Sequence, residues 1–261
     1  MEILFLGTGG GRVVLSTQLR STGGILFKTK KHQIHIDPGP GALLRMRILK
    51  KDPRKTDIVC LSHRHTDHVG DIWAISESIN QGYLVAEKSC VKGKESILSD
   101  WYKQFYKKIY GLEHGENVEI DGLHIKTTKT KHEVNAVGFI IQEGNIKVGY
   151  SGDTGYFKTL GKEYEGVEIL ILNVLRPQGE PLKKHLCTDE VIEILKNMKK
   201  KPKNVIITHF GMKMLRAGPL NQARVISLET GVPCRAAHDG MNFMVEDVLE
   251  QSTLFGGKYK T

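Results

Sequence analysis

"LSHRHTDHVGD", residues 61–71, sets three histidines and two aspartates within eleven residues, directly after the apolar run Ile58-Val59-Cys60-Leu61. Alternate residues of an extended segment point the same way, so His63 and His65 can share one ion. The chain then turns into a helix beginning near Val69-Gly70, which lets Asp67 and His68 reach a second ion. Imidazole and carboxylate are ligands for borderline metals and recur in hydrolytic sites. A polar turn gathers histidines by chance, but His-x-His-x-Asp-His behind a buried strand is a specific pattern. The stretch therefore reads as half of a metal site.

Around it lies an ordinary globular composition. The 261 residues are 39% apolar and 26% charged, enough for one large domain with its own core. The expected organisation is a single domain over 1–261, since no Pro/Gly/Ser-rich linker divides the chain. Cys60, Cys90, Cys187 and Cys234 are far apart and form no CxxC pair, which points to a reduced, cytoplasmic setting. No apolar run reaches the ~18 residues of a membrane span, so no membrane partner is expected. "MEILFLGTGGGR" reads as a first strand and turn, without a basic leader segment. The net charge of +9 favours anionic partners.

Short apolar runs rich in β-branched residues predict strands at 2–7, 23–28, 32–37, 57–63, 124–129, 137–142, 146–153, 167–173, 204–209 and 242–246. Helical patterns cover 70–79, 97–110, 188–200 and 218–231, the third with Thr188 as expected N-cap. Strands clustered in each half with helices around them predict an α/β fold of two sheets between helical layers, an αβ/βα sandwich. Segment 83–130 reads as a helical insertion between the halves. In its "DWYKQFYKKIYG", Trp101, Phe105 and Ile109 would share one helical face, with lysines alongside as a lid or substrate grip.

The opening motif resembles the signature of the metallo-β-lactamase superfamily, and further segments match that family in order. "HIDPGP" supplies Asp37, "TKHEVNAVGF" His132, "YSGDTG" Asp153 and "VIITHFG" His209. The resemblance implies that His63, His65 and His132 hold one metal and that Asp67, His68 and His209 hold the other. Asp153 would bridge the two, and Asp37 would orient a ligand by hydrogen bonding. It implies two divalent ions, Zn²⁺ foremost with Mn²⁺ or Fe²⁺ as alternatives, and a metal-bridging hydroxide as nucleophile. Asp67 would help orient that nucleophile. Diiron relatives carry Glu at the place of His65, which favours a hydrolase over an iron-dependent oxidoreductase.

His185, in "KKHLCTDE", lies between the motifs of Asp153 and His209. In the ribonuclease Z-like and phosphodiesterase branches a histidine in this interval is thought to protonate the leaving oxygen. Lactonases and thioesterases, which also remain candidates, have less need of it. Arg176, Lys183, Lys184 and Lys213 are candidate phosphate contacts, and His238 a candidate contact to a metal ligand or to substrate. Gly7 and Gly9 to Gly11 predict a tight turn, and His35 a structural role. tRNA-processing relatives usually insert a long arm between the residues matching His132 and Asp153. Here only 133–152 intervene, so a small or cyclic phosphodiester is expected ahead of RNA. That spacing is similar to the cyclic phosphodiesterase of phosphonate breakdown, although that enzyme's zinc-knuckle cysteines have no match. A homodimer is what the family likeness suggests.

Overall fold

The computed structural model describes residues 1–255. Among the described residues, fifteen strands make two sheets. The first half supplies β1 (Glu2–Phe5), β2 (Ile25–Lys28), β3 (Gln33–Ile36), β4 (Ile58–Leu61), β5 (Gly82–Glu87) and β6 (Tyr106–Leu112). From the second half come β7 (Asn117–Ile120), β8 (Leu123–Lys129), β9 (Val137–Glu143), β10 (Ile146–Tyr150), β11 (Ile169–Arg176), β12 (Leu186–Cys187), β13 (Asn204–Thr208) and β14 (Cys234–Ala236). The last strand, β15 (Asn242–Met244), returns to the first sheet. Strand order is β15-β1-β2-β3-β4-β5-β6 in one sheet and β14-β13-β11-β10-β9-β8-β7 in the other, with β12 beside β11.

Three separate hydrophobic clusters account for four layers. Between the sheets, Ile3, Phe5, Phe27, Ile34 and Ile58 face Phe139, Ile141, Val148, Ile169 and Ile171. On the outer side of the first sheet, Leu4, Val59 and Leu61 pack with Ile72 and Ile75 of helix Ile72–Ser78. On the far side of the second, Leu170, Leu172 and Ile207 pack with Val191 and Leu195 of helix Thr188–Asn197 and with Ile226 of helix Pro219–Thr230. Both faces of the central strands are covered, which is why β4 and β11 read as unbroken apolar runs rather than alternating ones. Strands β3 to β6 are mutually parallel, as are β10, β11, β13 and β14. Their carboxyl ends gather at one edge of the sandwich, the usual place for a site in such sheets.

The expected helical insertion at 83–130 is not there. The region contributes β5 to β8, with only short helices at Lys88–Val91 and Asp100–Lys103. "YKKIYGL" is hydrogen-bonded along β5 as the edge strand β6, so Ile109 shares no helical face with Trp101 and Phe105. Those two rings still touch edge to face, 6.2 Å between centroids. The heptad-like spacing was outweighed by aromatic and β-branched residues that fit a pleated edge, and exposed Lys107 and Lys108 shield that edge from further pairing. Helix Thr188–Asn197 is capped one residue earlier than expected. The backbone N–H of Cys187 donates to Glu190 Oε2 at 2.8 Å, and Thr188 is the first helical residue.

Two measurements probe this packing. Phe139 is fully buried between the sheets, and Phe139→Ala should lower unfolding free energy by about 3–5 kcal/mol in urea titrations. His35 on β3 is also fully buried, with Nε2 2.8 Å from the carbonyl oxygen of Gly23. Burial pushes its pKa down to about 4. The unfolded chain thus binds a proton that the folded chain refuses between pH 6.5 and about 4. Stability from this residue is complete above that window and lost as pH falls through it. Relative to His35→Gln, wild type should lose up to about 1.4 kcal/mol more per pH unit there; parallel curves would refute the assignment.

Candidate metal centre

Strand β4 runs buried to Leu61 and delivers Ser62, His63 and His65 to the sandwich edge; the short helix Thr66–Val69 then presents Asp67 and His68. His63 Nε2, His65 Nδ1 and His132 Nε2 converge, His65 Nδ1 lying 3.1 Å from the first and 3.2 Å from the last. Nitrogens about 2.05 Å from a tetrahedral ion would lie about 3.3 Å apart. Asp67, His68 and His209 form a neighbouring cluster. Asp153 Oδ2 stands between the groups, 3.2 Å from His209 Nε2, 3.4 Å from His68 Nε2, 3.5 Å from His185 Nδ1 and 4.0 Å from His63 Nε2. All seven ligand positions expected from sequence are thus brought together, with His185 beside them.

The ring protons follow from the acceptors around them. His132 Nδ1 faces the carbonyl of Lys184 at 3.0 Å, which can only accept, so Nε2 offers its lone pair to the cluster. Ser62 Oγ donates to Asp37 Oδ2 at 2.6 Å and therefore accepts from His63 Nδ1 at 3.0 Å, freeing His63 Nε2 as well. Two lone pairs face His65 Nδ1, which has at most one proton to share. His68 Nε2 and His209 Nε2 are buried without a hydrogen-bond partner. A divalent cation at each triad satisfies these acceptors, so the donor set fits metal.

The carboxylates around His68 demand a positive charge, which either a second proton on its ring or a divalent cation supplies. Burial works against a charged His68, but Asp153, Asp37 and Asp67 outweigh it and hold the imidazole well above its usual range. Burial would protonate Asp153, yet His209 and His68 keep it well below the usual carboxylate range. Burial, aided by His68, pushes His63 the other way, well below.

Asp37 is placed as expected and does more than orient one ligand. It accepts from Ser62 N (2.7 Å) and Oγ (2.6 Å), from His68 Nδ1 (2.8 Å) and from the hydroxyl of Tyr150 (2.7 Å) on the opposite sheet. Asp37 and His209 both hold left-handed backbone conformations, φ 50 and 62, a strain of the kind that surrounding contacts must impose.

Other candidates fare differently. Arg176 Nη1 and Lys213 Nζ both turn to Glu180, at 3.4 and 2.6 Å, so neither presents an unpaired charge. Lys184 is a strut: its Nζ donates to the carbonyl of His132 at 2.8 Å, reciprocating the bond from His132. His238 is exposed and lines a shallow hollow with Leu220, Leu228 and Met241. Its neighbour Asp239 matters more, binding Thr8 N and Oγ1 and Ser21 N at 2.7–2.9 Å. Sequence reading also missed Asn173, which donates to Asp153 Oδ1 at 2.8 Å. A lone amide closing the apolar run "ILILN" was its signal. The glycine run was seen only as a turn, whereas Gly11 N–H donates to Asp67 Oδ2 at 3.1 Å and Gly10 lies flat against His209.

Comparison with known proteins agrees. Residues 32–210 match the family model described as the beta-lactamase superfamily domain. An uncharacterized protein of Methanocaldococcus jannaschii is 36% identical over 270 residues, covering 100% of this chain and 97% of that protein. Ribonuclease Z of Thermococcus kodakarensis is 26% identical over 187 residues, covering 69% of this chain but only 57% of that enzyme. A metal-dependent hydrolase of Thermoplasma volcanium is 28% identical over 187 residues, 67% of this chain and 75% of that one. Among solved structures, the metallo-beta-lactamase fold protein YhfI of Bacillus subtilis superposes with a TM-score of 0.78 at 18% identity, over 93% of this chain and 99% of that one. The chain belongs to the β-lactamase superfamily and carries His/Asp clusters able to bind metal. Among the described residues no helix is long and apolar enough to cross a membrane.

A Cβ on Gly10 would lie 2.2 Å from His209 Cδ2. Gly10→Ala should therefore displace His209 and cut bound metal to about half the wild-type content, with far-UV circular dichroism unchanged. Unaltered metal content, read by elemental analysis, would contradict this geometry.

Proposed function

We propose that this β-lactamase-superfamily chain is a metal-dependent hydrolase whose target is a phosphodiester. The observation that carries the reading is the position of His185. Its Nδ1 is 3.5 Å from Asp153 Oδ2, and its ring lies 5.1 Å from that of His132 and 6.3 Å from that of His209, between the two triads and partly open to solvent. Two divalent ions, Zn²⁺ foremost given the nitrogen-rich donors, would supply a water acidic enough to attack at neutral pH and would offset phosphate charge.

The chain's own groups do the rest. His63, His65 and His132 would hold one ion and Asp67, His68 and His209 the other, with Asp153 within reach of both triads. Asp67, steadied by the Gly11 N–H, orients the attacking water. His185 delivers a proton to the departing alkoxide, a poor leaving group that needs one. Burial pushes His185 down to about 4 in the free protein. A phosphodiester monoanion beside it is a counter-charge that favours the imidazolium, so substrate itself raises the fraction of competent acid. The paired bonds between His132 and Lys184 hold the loops of His132 and His185 together.

Relatives named ribonuclease Z act on this same class of bond, which supports the phosphodiester over a lactone or thioester. RNA as the substrate has less support. Strands β9 and β10 are joined by Gly144 and Asn145 alone, leaving no arm between His132 and Asp153 to grip a folded RNA.

Purified protein should hydrolyse bis-p-nitrophenyl phosphate, lose that activity to a chelator and regain it with Zn²⁺ or Mn²⁺. His185→Ala should lower turnover of a phosphodiester with an alkyl leaving group by about 10²–10⁴-fold, and that of bis-p-nitrophenyl phosphate far less, while metal content stays constant. Robust lactone or thioester hydrolysis that survives His185→Ala would overturn the proposal.

A further inference from the structure

The edge that carries the metal centre carries a second depression. Strands β5, β6 and β8 end beside it, and with the loop 130–137 they enclose a groove of about 610 Å³, within the range of small-molecule sites. One wall belongs to the seven-stranded sheet, with Lys88, Ser89 and Lys92; the other belongs to the second sheet, with Lys129, Thr130 and Asn135. The groove lies beside the candidate ligands, since Val137 in its lining donates its backbone N–H to the carbonyl of Ser62, next to His63, at 3.0 Å. The loop that forms its second wall also carries His132. Arg64, between His63 and His65, pairs with Glu95 at 2.7 Å, three residues beyond Lys92, and ties the groove's rim to the histidine loop.

Charge in the groove is unevenly compensated. Glu87 is buried and accepts from the backbone N–H of Ser89 at 2.9 Å, and Lys88 pairs with Glu113 at 2.7 Å. Lys92 and Lys129 stand on opposite walls, and neither pairs with an acid among the described residues; the Lys129 ammonium instead lies 5.9 Å from the centre of the Phe157 ring. Lys88, Lys92 and Lys129 outnumber Glu87 and Glu113 in the lining, and a cationic excess in a ligand-sized groove beside a phosphodiester-cleaving centre suits a second phosphate on the same substrate.

We infer that this groove is a subsite for such a phosphate, so that the substrate is a nucleotide-type phosphodiester bearing a further phosphate on the retained side. The inference rests on the phosphodiesterase reading. His185 belongs to the loop 182–185 and lines no part of the groove. The departing oxygen therefore lies on the His185 side, and the retained group takes the groove.

Thymidine 5′-(p-nitrophenyl phosphate), with and without a 3′-phosphate, tests this because the two esters share a reacting centre and a leaving group. At low ionic strength the 3′-phosphate should raise kcat/KM about tenfold, mainly through KM. The ratio should fall towards one in the Lys92→Ala/Lys129→Ala double variant. No preference, or a preference that survives both substitutions, would overturn the subsite. If neither ester is cleaved by metal-loaded protein, the phosphodiesterase reading fails, and calorimetric titration decides the groove separately. Tighter binding of thymidine 3′,5′-bisphosphate than of thymidine 5′-monophosphate, lost in the double variant, supports it; equal affinities refute it.

Discussion

One buried carboxylate organises this molecule. Asp37 closes β3, receives Ser62 from the end of β4, fixes the ring of His68 and takes the hydroxyl of Tyr150 from the facing sheet. A buried charge is costly unless fully hydrogen-bonded, and here four donors answer it. The arrangement exists only when both sheets are docked and the backbone at Asp37 is held left-handed. Sheet packing and ligand orientation are therefore one event. The hydrophobic clusters supply the driving force, and Asp37 selects the register in which the histidines meet.

Around that post the ligands are set by strand ends, not by flexible loops. His63 follows β4, Asp153 follows β10, His209 follows β13, and His132 sits just beyond β8. Neighbouring backbone locks each in turn. Gly10 N–H donates to the carbonyl of Phe210, Phe210 N–H donates to that of Thr8, and Asp239 holds Thr8 in place. Ligands anchored at strand ends in this way are preorganised to receive a cation.

The candidate metal ligands were legible because His63, Asp153 and His209 are stranded close behind apolar runs, where bare packing offers no reason for them, while His132, in the polar "TKTKHEV", was legible through the family resemblance alone. The sandwich was legible because central strands covered on both faces leave uninterrupted apolar runs. Segment 83–130 was not. Its edge strands are short and half exposed, and in "WYKQFYKKIY" the aromatic spacing satisfies helix and strand alike. Only pairing with β5 decides between them, and pairing partners are invisible from one strand. Asn173, Ser62 and Asp239 were missed for a related reason. Each acts through a few hydrogen bonds to residues distant in sequence, and apart from the amide of Asn173 within an apolar run, nothing local distinguishes such a side chain from a solvated one. Arg176 and Lys213 erred in the opposite sense, since both cations are claimed by Glu180 from a neighbouring loop.

The two triads draw on different lengths of chain. His63, His65 and His132 have all left the ribosome once the first half and β8 are made, whereas the second triad waits for His209, carried by a strand that enters the second sheet between β11 and β14. During synthesis a half-made chain holds all three residues of one triad in its sequence, but it lacks both the docked second sheet that orients them and the strand that completes the other triad. Assembly of the second cluster is thereby coupled to completion of the fold.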